Sequence, residues 1–346
     1  MLVAFGKRFH QCTAILMVLM TPVTACSSNP LDAAPRTIEP AQPADSPASQ
    51  NPAGVVQPLN GHPQGALFDG GSRQLVVLSP GADPAAPASI AVFGTPVGAS
   101  PRVIGLPGPA SSLTGDGHGT VYLAGRGGYF AVNVTTAQNT TITVADAEHT
   151  EFTAIARRAD GRLVLGSADG AVYTLASDNA SVANRNKIFA RVDALATQGN
   201  TTVVLDRGQT SVTTIGADGH AEQALRAGEG ATTMAADPQG RVLVADTRGG
   251  QLLVYGVDPL ILRQAFPVRQ APYGLAGSGE LAWVSQTASN TVIGYDLSTG
   301  TPVEKVRYPT VQQPNLLAFD QASDTLYVVS GSGAGVQVIE HAGGKR

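Results

Sequence analysis

Residues 234–246 read MAADPQGRVLVAD: a short apolar run, the tetrapeptide Asp237-Pro238-Gln239-Gly240, and a second run from Arg241 to Ala245 rich in β-branched residues. Pro at the second and Gly at the fourth position suit a type I turn. A five-residue run of this kind bounded by Gly and Asp reads as a strand rather than as a helix face. The pattern recurs upstream as ALFDGGSRQLVVL (Ala66 to Leu78), LTGDGHGTVYLAG (Leu113 to Gly125), IARRADGRLVLGS (Ile155 to Ser167) and LATQGNTTVVLD (Leu195 to Asp206). Downstream it recurs as LAGSGELAWVSQ (Leu275 to Gln286) and LAFDQASDTLYVVS (Leu317 to Ser330). The first residues of the second runs are Leu75, Val121, Leu163, Val203, Val242, Leu281 and Leu326, spaced by 46, 42, 40, 39, 39 and 45. A period near forty with room for four short strands is that of a β-propeller blade, roughly 40 to 45 residues long. The pattern therefore predicts an all-β fold, a seven-bladed β-propeller over residues 55–341 with a short tail at 342–346.

Composition agrees. Of 346 residues 43% are hydrophobic and 14% charged, enough to bury a core, while 40 Gly and 23 Pro favour short strands and tight turns. In blade five the strands are expected at 232–236, 241–245, 251–255 and 261–267. The last unit offers only three, at 315–319, 325–329 and 335–339, and then the repeat ends. Gly54-Val55-Val56-Gln57-Pro58-Leu59 precedes the first unit without a blade of its own. These residues are expected to supply the outer strand of blade seven and close the ring, because an open ring leaves unpaired edges. Trp283, the only tryptophan, falls on a second strand and is expected to pack between blades.

The first 25 residues carry Lys7 and Arg8, an apolar run from Ala14 to Met20, and the small, turn-prone stretch Thr21 to Ala25. This is the layout of a secretory signal, with a run too short to span a bilayer. Val23-Thr24-Ala25-Cys26 resembles a bacterial lipobox, which predicts cleavage before Cys26 and lipidation of its sulfur. Cys12 would leave with the signal, so the mature chain has one thiol and no intrachain disulfide. Cleavage also leaves 20 basic residues against 26 acidic ones, a balance of −6. Such a body is not held to anionic lipid by charge, and with no basic stripe nucleic acid is not an expected partner. Residues 26–54 are dominated by Pro, Ala and Ser without apolar periodicity and are expected to form a disordered tether that lifts the propeller off the membrane. The location implied is the extracytoplasmic face of the cell membrane.

Together, Val23-Thr24-Ala25-Cys26, Thr37-Ile38-Glu39-Pro40-Ala41-Gln42-Pro43 and Phe152-Thr153-Ala154-Ile155-Ala156-Arg157-Arg158 resemble the actinobacterial, mycobacterial-type conserved lipoproteins of the LppL kind. The resemblance implies a surface-anchored propeller without an assigned biochemical role. More distantly the repeats are similar to YVTN-type and lactonase-like propellers. Leu326-Tyr327-Val328-Val329 and Leu281-Ala282-Trp283-Val284 are loose echoes of that tetrapeptide.

Propeller ligands usually sit at the channel mouth where loops leading into the innermost strands meet loops between second and third strands, although fold alone does not fix what is bound. Candidate ligand-binding residues there are His62, His149, Arg248, Tyr273 and Asn315. Glu151, Asp206, Asp246 and Asn290 supply the oxygen donors that a lactonase-like Ca²⁺ or Mg²⁺ site would need. The competing and preferred reading is that these residues cap turns, with no cofactor. The six histidines show no HxxxH or HxH spacing, so local sequence gives no zinc site. His118 and His220 fall in tight turns and are expected to be solvated. No glycine-rich segment has the strand-to-helix context of a nucleophile elbow or a phosphate loop. The function expected is a lipid-anchored binding or scaffolding module with a protein or glycan partner in the envelope. The alternative is a metal-dependent, lactonase-like hydrolase.

Overall fold

The structure, a computed structural model, describes residues 1–2, 35–94 and 98–344. The signal segment and Cys26 lie outside the described residues. No helix among the described residues is long and apolar enough to cross a membrane.

Seven four-stranded antiparallel sheets follow one another along the chain. They are the seven expected blades, over residues 65–105, 112–143, 152–187, 194–226, 231–267, 272–309 and 314–339. Within the first six blades the strands run in sequence order from the innermost outward. The seventh sheet has the order Pro314–Asp320, Thr325–Ser330, Val336–Ile339 and then Val55–Gln57, so the first strand of the chain is the outer strand of the last blade. Its register is Val55↔Val338, Val56↔Gln337 and Gln57↔Val336. The ring closes as the strand count predicted. In blade five the strands are Ala231–Asp237, Arg241–Asp246, Gln251–Val257 and Leu260–Pro267, each within one or two residues of expectation. The Gly240 amide donates to the Asp237 carbonyl at 3.0 Å, and Gly240 takes φ +78°, a conformation that favours glycine.

The core is divided rather than central. Seven apolar clusters each fill one seam between neighbouring blades. Val76, Leu78 and Ile90 of blade one, for example, meet Val121, Leu123 and Val132 of blade two. Trp283 is fully buried in the seam of blades six and seven, stacked on Phe319 at 5.9 Å and near Tyr308 at 6.5 Å. It packs between blades, as expected.

Side chains near the innermost strands also bond neighbouring blades directly. The Ser111 hydroxyl donates to the Phe152 carbonyl, Thr153 to Val192, Thr247 to Pro272 and Ser285 to Pro314. Buried carbonyls are thereby satisfied across the seams, where no β-ladder runs.

Two terminal segments depart from the expected layout. Ala342 is fully buried and its amide donates to the Asp324 carbonyl at 2.8 Å, so the packed body runs past residue 341. More consequentially, residues 35–54 are not a free tether. They lie along the propeller as an irregular strap, with the Ile38 amide donating to the Gly208 carbonyl (2.8 Å) and the Ala53 amide to the Pro309 carbonyl (3.0 Å). Composition misleads here because a strap needs no core of its own. Five of its residues are prolines and bring no amide to satisfy, and backbone groups of Ile38, Glu39, Ala41, Ala44, Ser46, Pro47 and Ala53 find partners on a preformed surface.

Candidate functional site

In each blade the loops into the innermost strand and the loops between second and third strands emerge on one side of the ring, here called the upper face. The turns between first and second strands and between third and fourth strands emerge on the lower face. The exposed histidines His118 and His220 lie in lower-face turns, in blades two and four.

The strap crosses the upper face over blades four to seven. Arg207 and Arg248, from the outgoing loops of blades four and five, donate to the Ala41 and Glu39 carbonyls, the second at 2.7 Å. In blade six the Thr287 hydroxyl oxygen accepts the Ala44 amide at 3.0 Å, and Asn290 donates to the Pro47 carbonyl at 2.7 Å. Gln313, in the loop leading into blade seven, accepts the Ser46 amide at 3.1 Å and donates to the Ala44 carbonyl at 2.9 Å. Gln312 donates to the Ser46 carbonyl at 3.1 Å.

Blades one to three are left open. Their upper loops enclose a cleft of about 720 Å³ with Phe152 and the prolines Pro80, Pro84 and Pro109 among its walls. Arg126, His149 and Glu151 line it. Arg126 and Glu151 face each other across an isolated antiparallel bridge. Among the described residues the side chains of Arg126, His149 and Glu151 are exposed and have no hydrogen-bond or ion-pair partner. The floor is fixed: Gln64 donates to the Ala110 carbonyl at 2.6 Å and Ser111 to the Phe152 carbonyl at 2.8 Å.

The other sequence candidates do not converge on this cleft. Asp206 and Asp246 are fully buried clamps. Asp246 accepts the amides of Glu229 (3.0 Å), Gly230 (2.8 Å) and Gly249 (3.0 Å). Asp206 accepts those of Ala190 (2.8 Å), Arg191 (3.2 Å) and Gln209 (2.9 Å). Each thus ties the loop into its blade to the loop after its second strand. A Cβ on Gly228 or Gly249 would fall 1.9 or 2.0 Å from an Asp246 carboxylate oxygen, so the backbone wraps this group closely. Asn290 and Arg248 lie under the strap. His62 approaches the Gly331 carbonyl at 3.4 Å on the seam of blades seven and one. Asn315 accepts from Gln313 at 3.3 Å. Tyr273 stands on the innermost strand of blade six, and burial pushes its phenol above the ordinary value.

Glu151, Asp206, Asp246 and Asn290 therefore belong to four different blades, with two carboxylates committed to amides and the amide side chain committed to the strap. Among the described residues no three His, Cys, Asp or Glu side chains are grouped as metal ligands. This donor set does not fit a shared Ca²⁺ or Mg²⁺ centre. On the same face, burial pushes the Asp193 carboxyl up, against the Arg207 amide and the charges of Arg207 and Arg191.

No family model and no curated protein matches the chain. Solved structures do. A virginiamycin B lyase from Staphylococcus aureus superposes with TM-score 0.63 at 10% identity, covering 80% of this chain and 94% of that one. A hydrazine synthase chain of Kuenenia stuttgartiensis gives 0.64 at 12%, covering 83% and 97%. A chain of a mitotic checkpoint complex gives 0.65 at 13%, covering 90% and 98%. Identities this low show a shared fold. A lyase, a hydrazine synthase chain and a chain of a mitotic checkpoint complex on one fold leave function to the site.

Sequence reasoning placed His149 and Glu151 on the correct loops. It missed Thr287, Gln312 and Gln313, whose partners lie 243 to 269 positions away in the strap.

Proposed function

We propose that this protein is an exported, lipid-anchored propeller that serves as a binding or scaffolding module at the outer face of the membrane, with its ligand site in the upper-face cleft of blades one to three. One observation carries the choice of site: a cleft of about 720 Å³ holds a cation, a carboxylate and an imidazole without partners. Polar side chains left unpaired around a partly apolar concavity are what a protein or glycan partner would engage. The hydrolase reading has less support, because the carboxylates it needs hold the protein's own loops.

The strap changes the geometry of anchoring. With lipid on Cys26 and Pro35 already on the body, only the eight residues 27–34 lie between them, a reach of about 30 Å at full extension. The upper face and its cleft then stay close to the bilayer, and the partner is met in the membrane-proximal layer.

Fractionation of envelopes tests the anchor: Cys26→Ala moves the protein from the membrane to the soluble fraction, and continued full retention refutes it. A photo-crosslinking residue at position 149, compared with one at position 220 on the lower face, tests the site. Adducts in intact cells are expected at 149 alone. Equal labelling at both positions, or none at 149, removes the cleft as the binding site.

A further inference from the structure

The strap is held in an unusual way. Propeller side chains from four successive blades reach its main chain rather than its side chains: Arg207 to Ala41, Arg248 to Glu39, Asn290 to Pro47, Gln312 to Ser46, and Gln313 to both Ala44 and Ser46. The strap's own side chains add the Ser46 and Ser49 hydroxyls, donating to the Thr287 and Thr310 carbonyls. Ala41 is the one buried residue of the strap, at 8% exposure, and Ile38 is 38% exposed. Lifting the strap therefore exposes little apolar surface and returns to water groups that water satisfies readily, so little opposes local opening.

We propose that the upper face of blades four to seven is a groove that reads extended, proline-containing polypeptide through its main chain, and that residues 37–49 are its resident, displaceable occupant. The chemistry of the occupant is on the page. Alternating donors and acceptors match an extended backbone, as in other extended-peptide sites. Proline positions contribute a carbonyl and need no acceptor. The only side chains read are small hydroxyls. A partner that takes the groove is thus a Pro/Ala/Ser-rich extended segment of another polypeptide. This groove is separate from the cleft of blades one to three and does not depend on it.

The test uses the full chain and a fluorescent peptide of residues 35–52. Ala41→Trp lifts the strap by filling the only position without room, and Ser46→Pro lifts it independently by removing the amide that Gln313 accepts. Hydrogen exchange at Ile38 and Ala44, and at Ser46 wherever that residue keeps its amide, reports the lifting. In wild type these amides are expected to exchange far faster than that of Val338. In either lifted variant the peptide is expected to bind at least about tenfold tighter than in wild type, because the competent groove is more populated. A peptide that keeps its prolines and serines in place and shuffles only the other residues should bind within about threefold, because only main chain and hydroxyls are read. Adding Asn290→Ala and Gln313→Ala to a lifted variant abolishes binding, whereas Arg126→Ala leaves it unchanged. Three results overturn the proposal: strap amides as protected as Val338, lifted variants that bind the peptide no better than wild type, or concentration-dependent dimers in which a second copy's strap fills the groove. A failure here leaves crosslinking at position 149 untouched, and the converse also holds.

Discussion

Deleting Gly54 to Leu59 lowers the melting temperature of the propeller by on the order of 10 °C, taking a few kcal/mol of lost pairing and roughly 2–4 °C per kcal/mol for a body of this size. The segment supplies the outer strand of blade seven, and its loss strips the partner from Val336–Ile339. Gln337 loses its ladder partner Val56. Buried in the intact chain, it accepts the Val311 amide at 3.0 Å and donates to the carbonyls of Ala53 (2.7 Å) and Pro309 (2.9 Å), so one side chain joins the strap's end, blade six and the loop into blade seven. Leu59 also leaves the seam of blades seven and one. The exposed ladder on residues 336–339 is a template for edge pairing, and aggregation on heating is expected with the lower transition. A variant that keeps chain length isolates the strand: Gly54→Val places a Cβ 2.1 Å from the Val338 carbonyl oxygen at φ +70°, and should reproduce much of the loss. Val55→Ala with Val56→Ala should cost little, because those side chains are 52% and 39% exposed. Differential scanning calorimetry decides; an unchanged transition after the deletion means that seam contacts alone close the ring.

How much of this was legible follows from where each signal resides. The blades were readable because a turn such as Asp237 to Gly240 and the β-branched run after it are local, and seven copies corroborate one another. Closure was readable by counting, since three strands at one end and an orphan strand at the other fit a single sheet. Trp283 was readable because a large apolar side chain on a second strand has only a seam in which to hide. The strap was not. Judged by composition, residues 35–54 cannot build a core, and that is true. What fixes them is a set of polar groups, Arg207, Arg248, Thr287, Asn290 and Gln313, gathered by ring closure from distant parts of the sequence. The cleft was half legible: the loops bearing His149 and Glu151 were assigned to the right face, but their isolation as a site depends on where the strap lies. Asp206 and Asp246 carried two chemical readings in the sequence. The glycines crowding them, Gly228 and Gly249 around Asp246, were the available sign that backbone approaches there.

Those two readings of Asp246 give opposite thermal behaviour. As a clamp, Asp246→Asn replaces an oxygen that accepts backbone amides by a group that donates, which leaves an amide of Glu229, Gly230 or Gly249 facing another donor. The expected loss is about 2–4 kcal/mol, from hydrogen bonds to charged groups at roughly 1.5–3 kcal/mol each less what the remaining oxygen retains. Asp206→Asn should lose a similar amount, because it holds the equivalent pair of loops one blade earlier. Glu151→Gln, exposed and without a partner, should leave stability unchanged and alter only what binds the cleft. A metal ligand behaves otherwise. Converting one to an amide relieves the repulsion between clustered carboxylates, so the ion-free variant gains stability while the stabilisation by added Ca²⁺ or Mg²⁺ vanishes. Melting curves of wild type, Asp246→Asn, Asp206→Asn and Glu151→Gln, each with chelator and with either ion in excess, separate the two. The clamp requires that both buried variants melt lower at every ion concentration and that no curve shifts with the ion. An Asp246→Asn chain that melts higher in chelator and has lost an ion response seen in wild type would return the carboxylate to metal chemistry, and the hydrolase with it.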